Sequence, residues 1–396
     1  MFRVLIIAGL LLGIAPACGG PQKPAKTSKQ KEKDKKQKEK RELLSDARES
    51  ASSGEIDAAD RSYAQAYETS KDTEILEEHI EFLIEAGKAA RAQEVAKAHY
   101  EANTTDPKAL QLYAEALVAA GKGQEALKIA EEMIKTNAED ATGYEKKGRA
   151  MLLLEKPEEG LELLRKAVQL DDANPAYHIS LGLALFGVKK VNEAALELRA
   201  AVKRGPDNAK AHLYLGMALR EQDEREEAKT VLLKALELDP NNGRAYFELG
   251  LLYNKEGKQA EAEQALSKAV QKSPNQSLFW YAYGEIYRLQ QRNDEAISAY
   301  RKAMECDPPY PKAITKLGTL LADRKEWDEA EKVLFIGVRK EPKNPANYLG
   351  LGDMYAAKRK PKEAVYYYEQ YLELAPKSDR DRGRVKDALP SLKRKR

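Results

Sequence analysis

A period of 34 residues is the feature that most constrains how this chain folds. The segment 243–276 has apolar and small residues at offsets that recur in the segments beginning at Ala209 and Ser277. Steps of 34 give ten windows, which begin at residues 39, 73, 107, 141, 175, 209, 243, 277, 311 and 345. A fixed period of this length indicates a solenoid of stacked supersecondary units.

Each window predicts two amphipathic helices. In the window at 243, the first half has one apolar face at helical spacing, formed by Tyr246, Leu249, Gly250 and Tyr253, and the second half has another, formed by Ala262, Leu266, Ala269 and Val270. Gly257 stands between them, where a helix C-terminus favours a residue that tolerates the left-handed region. Pro274 ends the second helix because proline lacks the N–H that would continue it. Such a hairpin has apolar surface on both sides and must stack on its neighbours.

Two columns of small residues run through the windows. Opposite Gly250 stand Ala114, Gly148, Gly182, Gly216, Gly284, Gly318 and Gly352, and opposite Ala262 stand Ala92, Ala126, Gly160, Ala194, Ala228, Ala296, Ala330 and Ala364. This pattern resembles the tetratricopeptide repeat (TPR). The resemblance covers about residues 40–378 and implies an all-α fold, a right-handed superhelix of about nine to ten 34-residue helix-turn-helix units. The window at 39 departs from the pattern in a way that suits a polar N-terminal cap, and the window at 73 has Ile80 in the glycine column.

The charge is distributed unevenly along the chain. The net charge is +3, but residues 21–41 carry +7 and residues 379–396 carry +5, which with Arg3 leaves −10 on residues 42–378. A negatively charged array is the opposite of what a nucleic-acid channel needs, so nucleic acid is not an expected partner.

The first residues resemble a bacterial lipoprotein signal. Arg3 precedes an apolar run from Val4 to Ile14 that is too short to span a bilayer, which predicts a signal peptide over residues 1–17. The sequence Ala-Pro-Ala-Cys that ends at Cys18 resembles a lipobox, which implies that Cys18 carries diacylglycerol and an N-terminal acyl chain such as palmitate. The alternative is an ordinary cleaved signal in which Cys18 is incidental.

Two basic segments flank the array. Residues 18–41 are interpreted as a lysine-rich tether after the modified cysteine, either a solubilising spacer or a segment attracted to an anionic surface. Residues 42–378 are the predicted TPR array. Residues 379–396 are predicted to form a capping helix, with Val385 and Leu389 on its apolar face, followed by a basic tail.

Motifs for catalysis and for metal binding are missing from the sequence. It contains no Cys-x-x-Cys, His-Glu-x-x-His, Gly-x-Ser-x-Gly or Walker lysine motif, so we expect no enzyme, no metal site and no small-molecule substrate. His178 and His212 share one repeat offset. They are interpreted as core residues, and the alternative is an enzyme subunit that holds a metal between them. Cys306 is interpreted as a buried apolar filler.

The resemblance implies a concave groove lined by the first helices, through their second, fifth, ninth, twelfth and thirteenth positions. In the second and third repeats these positions form an acidic zone: Glu74, Glu77, Glu81, Glu85, Lys108, Gln111 and Glu115. In the fifth to eighth they form an apolar zone with a basic margin. Its apolar residues are Ile179, Leu183, Phe186, Leu213, Met217, Phe247, Leu251 and Tyr281, and the margin is Lys210, Arg220, Arg244, Asn254, Lys255 and Arg288. An exposed apolar floor predicts a partner site.

The resulting functional hypothesis is a lipid-anchored adaptor in the bacterial cell envelope, at the outer membrane and facing the periplasm. It would bind a protein or peptide in its groove and resemble the TPR lipoproteins that assist pilus or secretin assembly or organise cell-wall enzymes. The alternative is a cytoplasmic TPR regulator or co-chaperone without a lipid anchor.

Overall fold

The structure, a computed structural model, describes residues 28–306 and 308–394. Within these ranges the regular structure is entirely α-helical. The helices are α1 (Ser28–Ser52), α2 (Ile56–Ser70), α3 (Thr73–Glu85), α4 (Ala89–Ala102), α5 (Pro107–Ala119), α6 (Gly123–Thr136), α7 (Ala141–Leu153), α8 (Pro157–Leu170), α9 (Pro175–Gly187), α10 (Val191–Arg204), α11 (Ala209–Glu221), α12 (Arg225–Leu238), α13 (Gly243–Lys255), α14 (Gln259–Lys272), α15 (Ser277–Leu289), α16 (Asn293–Glu305), α17 (Pro311–Asp323), α18 (Trp327–Lys340), α19 (Pro345–Ala357), α20 (Pro361–Leu374) and α21 (Asp381–Arg394).

The predicted period is confirmed by the helix boundaries. From α3 to α19, each odd-numbered helix begins at the first residue of a predicted window, and the even-numbered helix that follows completes the hairpin. We number the hairpins as repeats 1 to 10, from α1–α2 to α19–α20. Most first helices start after an Asp or Asn whose side chain accepts a hydrogen bond from a backbone N–H of the first turn. These N-caps are Asp72, Asp106, Asp140, Asn174, Asn208, Asn242 and Asn344.

In repeats 2 to 10 the turn inside each hairpin uses one left-handed residue at a constant offset. In repeats 2, 3 and 7 this residue is a glycine, and Gly257 has the predicted conformation with φ of 76°. In other repeats a longer side chain takes the same backbone conformation, with Lys189 at φ 66° as an example. Side chains other than glycine rarely adopt this region, so the turn geometry is imposed by the packing of the two helices.

The glycine column allows the two helices of a hairpin to pack closely. A Cβ atom added at Gly250 would lie 2.6 Å from Leu266 Cγ and 3.5 Å from the carbonyl oxygen of Ala262. The same relation, to a large side chain 16 residues later, holds at Gly216 with Leu232 and at Gly284 with Tyr300. The small residues of the first helix and the large residues 16 positions later therefore contact each other.

Neighbouring hairpins stack into an α-solenoid whose first helices face inward. Each second helix packs on the first helix of the next repeat, and first helices also pack on one another, as α5 does on α7 and α7 on α9. The core is a series of apolar clusters along the array. Since first helices of adjacent repeats meet directly, they form the shorter, concave side of the curve.

The two ends of the array are closed by helices of different character. Helix α21 buries Val385 and Leu389 against α20, next to Tyr368 and Tyr371. At the other end, residues 28–41 form the first part of α1, whose later part packs Ala47 into the first cluster. The predicted signal peptide, Cys18 and the start of the tether lie outside the described residues. None of the described helices has the length and apolar character needed to cross a bilayer.

Candidate functional site

The inner surface of repeats 2 to 6 forms a cavity with a volume of about 1180 Å³. Its walls come from α3, α5, α7, α9 and the start of α11. The cavity combines parts of both predicted zones, because Glu77, Glu81 and Glu85 of the acidic zone face Ile179 and Leu183 of the apolar zone. This volume exceeds the range of about 300–1,000 Å³ that is usual for small-molecule sites, and it suits a segment of polypeptide.

Four charged side chains form the floor of the cavity. Lys146 bonds to Glu115 and lies 2.8 Å from Glu145, while Arg149 donates to both oxygens of Glu115, at 2.7 and 2.9 Å. The Ser180 hydroxyl donates to Glu145 at 2.6 Å. Glu145 and Lys146 are 4% and 7% exposed, so the network is largely removed from water. Two cations balance two carboxylates, which leaves the floor neutral.

The network shifts the pKa values of its members towards their charged forms. Burial opposes ionisation, but the nearby charges of Lys146 and Arg149 outweigh it and hold the pKa of Glu115 and of Glu145 below the usual value. Burial likewise opposes the charge on Lys146, yet Glu145 and Glu115 raise its pKa. All four groups are therefore charged at neutral pH.

The rim of the cavity is acidic and is bridged by one lysine. Lys210, at the start of α11, places its Nζ atom 3.1 Å from Glu85 Oε1 and 3.6 Å from Glu81 Oε1 on α3. The bridge joins repeats 2 and 6 across the mouth of the groove. All three side chains keep at least half of their exposure, so the bridge lies in contact with water.

Nearby on α3, Glu77 pairs with Lys108 of the next repeat at 2.7 Å. The predicted acidic zone is thus partly neutralised by lysines of the array itself.

Part of the predicted apolar zone lies in the core. Leu213 and Phe247 are 5% and 3% exposed, so the prediction that they face the groove is wrong. Phe247 stacks on Phe279 of the next first helix, with ring centroids 4.5 Å apart. At Phe247 the fifth position of the first helix therefore points towards the neighbouring first helix, whereas the same position at Ile179 lines the cavity.

The remaining apolar residues of the prediction are half-buried. They are Ile179, Leu183, Phe186, Met217, Leu251 and Tyr281. Of these, Ile179 and Leu183 line the cavity. Tyr281 packs at 4.8 Å from the ring of Tyr310, and burial raises its pKa to about 12.

Most of the predicted basic margin is engaged in ion pairs within the array. Arg220 and Arg244 both bond to Glu248, at 2.8 and 2.7 Å, and Glu248 is fully buried. Arg288 pairs with Glu285 on its own helix at 3.0 Å. These arginines neutralise buried or half-buried carboxylates of the array. The sequence pattern alone cannot distinguish such an arginine from one that is free to contact a partner.

Models of the tetratricopeptide repeat match this chain over residues 179–228 and 217–277, over 83–150 and 287–353, and over 345–378. Together these matches cover most of the array. The chain is a tetratricopeptide repeat protein.

Solved structures of other TPR and helical solenoids share the fold. Yeast Tom70 superposes with a TM-score of 0.50 at 16% identity, covering 90% of this chain and 96% of Tom70. The hetero-tetramer Cut9–Hcn1 of the APC/C gives a TM-score of 0.53 at 14% identity, covering 85% of this chain and 73% of that one. PilF of Pseudomonas aeruginosa gives 0.48 at 21% identity, over 57% of this chain and 99% of PilF. No curated protein sequence matches this one.

The two histidines at the shared repeat offset are core residues of the TPR array, as predicted. His178 and His212 are 3% and 7% exposed. His178 contacts Glu197 at 2.8 Å, and His212 contacts the Pro206 carbonyl oxygen at 2.8 Å. Across the described residues, no group of three or more His, Cys, Asp or Glu side chains is placed to hold a metal ion.

Cys306 corrects another prediction, because its side chain is only half-buried. Its thiol lies at the end of α16, 3.2 Å from the Lys302 carbonyl oxygen. The offset it shares with Leu170 and Leu238 is a boundary position in the TPR hairpin, since Leu170 is 38% exposed.

The neutral floor of the cavity is the part of the site that the sequence prediction missed. Glu145, Lys146 and Arg149 occupy the fifth, sixth and ninth positions of repeat 4, where repeats 5 and 6 have largely apolar residues. Charged residues at positions that are apolar in neighbouring TPR units were the available signal. Their pairing depends on Glu115 of the preceding repeat, which a single window does not contain.

Proposed function

We propose that this protein is a lipid-anchored adaptor that binds a partner protein or peptide in the concave groove of its TPR array. A TPR solenoid is a fold suited to protein and peptide binding. The observation that carries the proposal is the cavity of about 1180 Å³ on the inner face of repeats 2 to 6. We place the adaptor in the bacterial envelope, at the periplasmic face of the outer membrane, in assembly of a pilus or secretin or in organising cell-wall enzymes.

The cavity offers two kinds of contact to a polypeptide. Half-buried aliphatic side chains, among them Ile84, Leu152 and Leu183, provide apolar surface, and the charged rim provides polar contacts. Such a combination of an apolar surface and a few polar groups is the usual basis of groove recognition. The absence of catalytic motifs in the sequence supports a passive role, in which the protein holds its partner and performs no reaction on it.

Site-specific photo-crosslinking tests the groove. A photoreactive phenylalanine placed at Leu183, which lines the cavity, is expected to give a covalent adduct with one partner protein in cells. The matched control is Leu196, which lies on the second helix of the same repeat and is 66% exposed. The proposal predicts an adduct from position 183 that is missing from position 196. No adduct at 183, or the same adducts from both positions, would contradict it.

The lipid anchor is a separate part of the proposal and rests on the sequence around Cys18. Intact mass of the membrane-extracted protein is expected to show a mature chain that begins at Cys18 and carries acyl mass. Cys18→Ser is expected to move the protein from the membrane to the soluble fraction. A wild-type protein found in the soluble fraction with its first residues intact would favour the cytoplasmic regulator instead.

A further inference from the structure

We propose that the groove of repeats 2 to 6 selects a segment of the partner that combines basic and apolar side chains. We further infer that Lys210 occupies the place of the partner's cation until that segment binds. This inference rests on the proposed function of the groove and names the chemistry of its ligand. It follows from the charge of the lining, the position of Lys210 and the apolar surface between them.

The charge of the cavity favours a cationic ligand. Its lining contains six carboxylates against three cations, one of which is Lys210 itself. The floor carboxylates are balanced by Lys146 and Arg149, and Glu77 is paired with Lys108, which lies outside the lining. The remaining negative charge belongs to Glu81, Glu85 and Glu155. Glu81 and Glu85 share Lys210 as a cationic partner, and they are 59% and 64% exposed. A basic ligand meets complementary charge at this rim, and an acidic one meets repulsion.

The position of Lys210 shows that the rim accepts an ammonium group. Lys210 belongs to repeat 6, yet its Nζ atom lies between the two carboxylates of repeat 2. Burial opposes its charge, but the Glu85 and Glu81 carboxylates raise the pKa of Lys210, so the ammonium is retained. Lys210 thus provides, from the opposite side of the groove, the ammonium group that we assign to the ligand.

A cation of the ligand can replace Lys210 in this bridge at little cost. The three side chains of the bridge are at least half exposed, and ion pairs of this kind contribute little to stability because water competes for both partners. By contrast, the floor pairs are largely buried and are costly to break. A ligand cation can therefore exchange with Lys210 while the floor stays intact.

An apolar surface beside the rim requires more than charge from the ligand. Ile84 lies between Glu81 and Glu85 in sequence, and Leu183 lies on the opposite wall with Leu152 and the 41% exposed Leu153. Burial of aliphatic side chains against this surface supplies affinity that an all-lysine segment lacks. A segment in which lysine and leucine alternate satisfies both features.

The experiment measures binding of fluorescein-labelled nine-residue peptides to the purified full chain. The first probe alternates Lys and Leu, the second alternates Glu and Leu, and the third alternates Lys and Gly. We expect the Lys/Leu probe to bind more tightly than both others. Its affinity is expected to fall by about tenfold in the double variant Glu81→Gln, Glu85→Gln, and to fall with increasing salt.

Lys210→Ala distinguishes competition from a structural role. If Lys210 competes with the ligand, its removal is expected to tighten binding of the Lys/Leu probe by about three- to tenfold. If the bridge instead shapes the groove, the same change weakens binding and overturns the inference. The matched control is Glu162→Gln, which removes an exposed carboxylate from the second helix α8, outside the cavity, and should leave the affinity unchanged.

The remaining outcomes also decide the question. Equal or tighter binding of the Glu/Leu probe, or no binding of any probe, overturns the basic-ligand assignment. The photo-crosslink from position 183 would then still decide whether the groove binds a partner. Tighter binding of a peptide with the sequence of residues 28–41, which is lysine-rich and nearly free of apolar side chains, would replace the assigned partner by a second copy of this chain.

Discussion

At the scale of single residues, the glycine column explains why one position of the repeat must stay small. In repeats 4 to 10 the first helix has a glycine that faces a leucine or tyrosine 16 residues later, at distances that leave no room for a Cβ atom. The large partner is fully buried at Leu232, Leu266 and Tyr300. The conflict cannot be relieved by turning the large side chain towards solvent.

Gly250→Ala is predicted to destabilise repeat 7 by about 1–3 kcal/mol, because the new methyl group would lie 2.6 Å from Leu266 Cγ. Gly250→Leu is expected to cost more. Gly187→Ala is the matched control, since Gly187 is also helical, has nothing within 4 Å of its added Cβ, and should gain stability from the better helix propensity of alanine. Urea unfolding measures both, and equal effects of the two changes would refute the packing argument.

The glycine column could be predicted from the sequence, but its contact partner could not. The spacing of Gly250 and Ala262 within one window indicates two helices that approach closely, and the structure confirms this. Phe247 is different, because its burial depends on Phe279 of the next repeat and on the angle between the two first helices. Contacts inside a hairpin are encoded by a local pattern, whereas contacts between hairpins also depend on the superhelical geometry.

At the scale of helices, the floor network links α5, α7 and α9. Glu115, Lys146, Arg149 and Glu145 come from two successive first helices, and Ser180 adds the third. Desolvation offsets much of the attraction within a buried group of this kind, so its net contribution to stability is smaller than the cost of removing one partner. Its effect on stability therefore depends on the ionisation of its carboxylates.

The double variant Glu115→Gln, Glu145→Gln is predicted to lose about 3 kcal/mol at neutral pH, because it leaves two buried cations unpaired. In the folded state the pKa of both glutamates is held below the ordinary value of 4.5 by the charges of Lys146 and Arg149, which outweigh burial. Their stabilisation is therefore fully present above that value, and it is lost as the pH falls through the folded pKa.

The difference in unfolding free energy between wild type and this variant should consequently shrink from pH 7 to pH 3. Urea unfolding followed by hydrogen exchange in α5, α7 and α9 measures it. Glu74→Gln, at the exposed start of α3, controls for the removal of a carboxylate. A constant difference across this pH range would show that protonation of the two glutamates does not change the stability of the fold.

Helix ends show the same division between local and distant information. Pro157 and Pro361 share one repeat offset, which predicts where their second helices begin, and both residues stand at the first helical position. The left-handed turn was predictable at Gly257 because glycine favours it. At Lys189 the same conformation has no sequence signal, since it follows from the hairpin that the neighbouring repeats stabilise.

At the scale of the whole molecule, the array is a chain of nearest-neighbour contacts with a cap at its C-terminal end. Helix α21 covers the last hairpin by burying Val385 among Val365, Tyr368 and Tyr371. In a solenoid, damage at one end destabilises the adjacent repeat most and decays along the array.

Val385→Asp is predicted to undock α21, because a buried carboxylate without a partner costs several kcal/mol. Hydrogen exchange should then accelerate in α19 and α20 while α3 to α6 stay protected. Lys386→Asp introduces the same side chain at an exposed neighbouring position and is expected to leave exchange unchanged. Acceleration along the entire array would argue against independent repeats.

Lys210 connects two repeats that are not neighbours in the array. Contacts between adjacent hairpins would be the same in an array of any number of units, but the bridge from α11 to α3 exists because the curvature of four successive repeats brings the start of α11 within reach of α3. The bridge therefore depends on the number of repeats between α3 and α11. Insertion or excision of one 34-residue unit between α3 and α11 would preserve the interfaces between adjacent repeats. It would nevertheless move Lys210 out of reach of its carboxylates. The bridge therefore requires a fixed number of repeats between its partners.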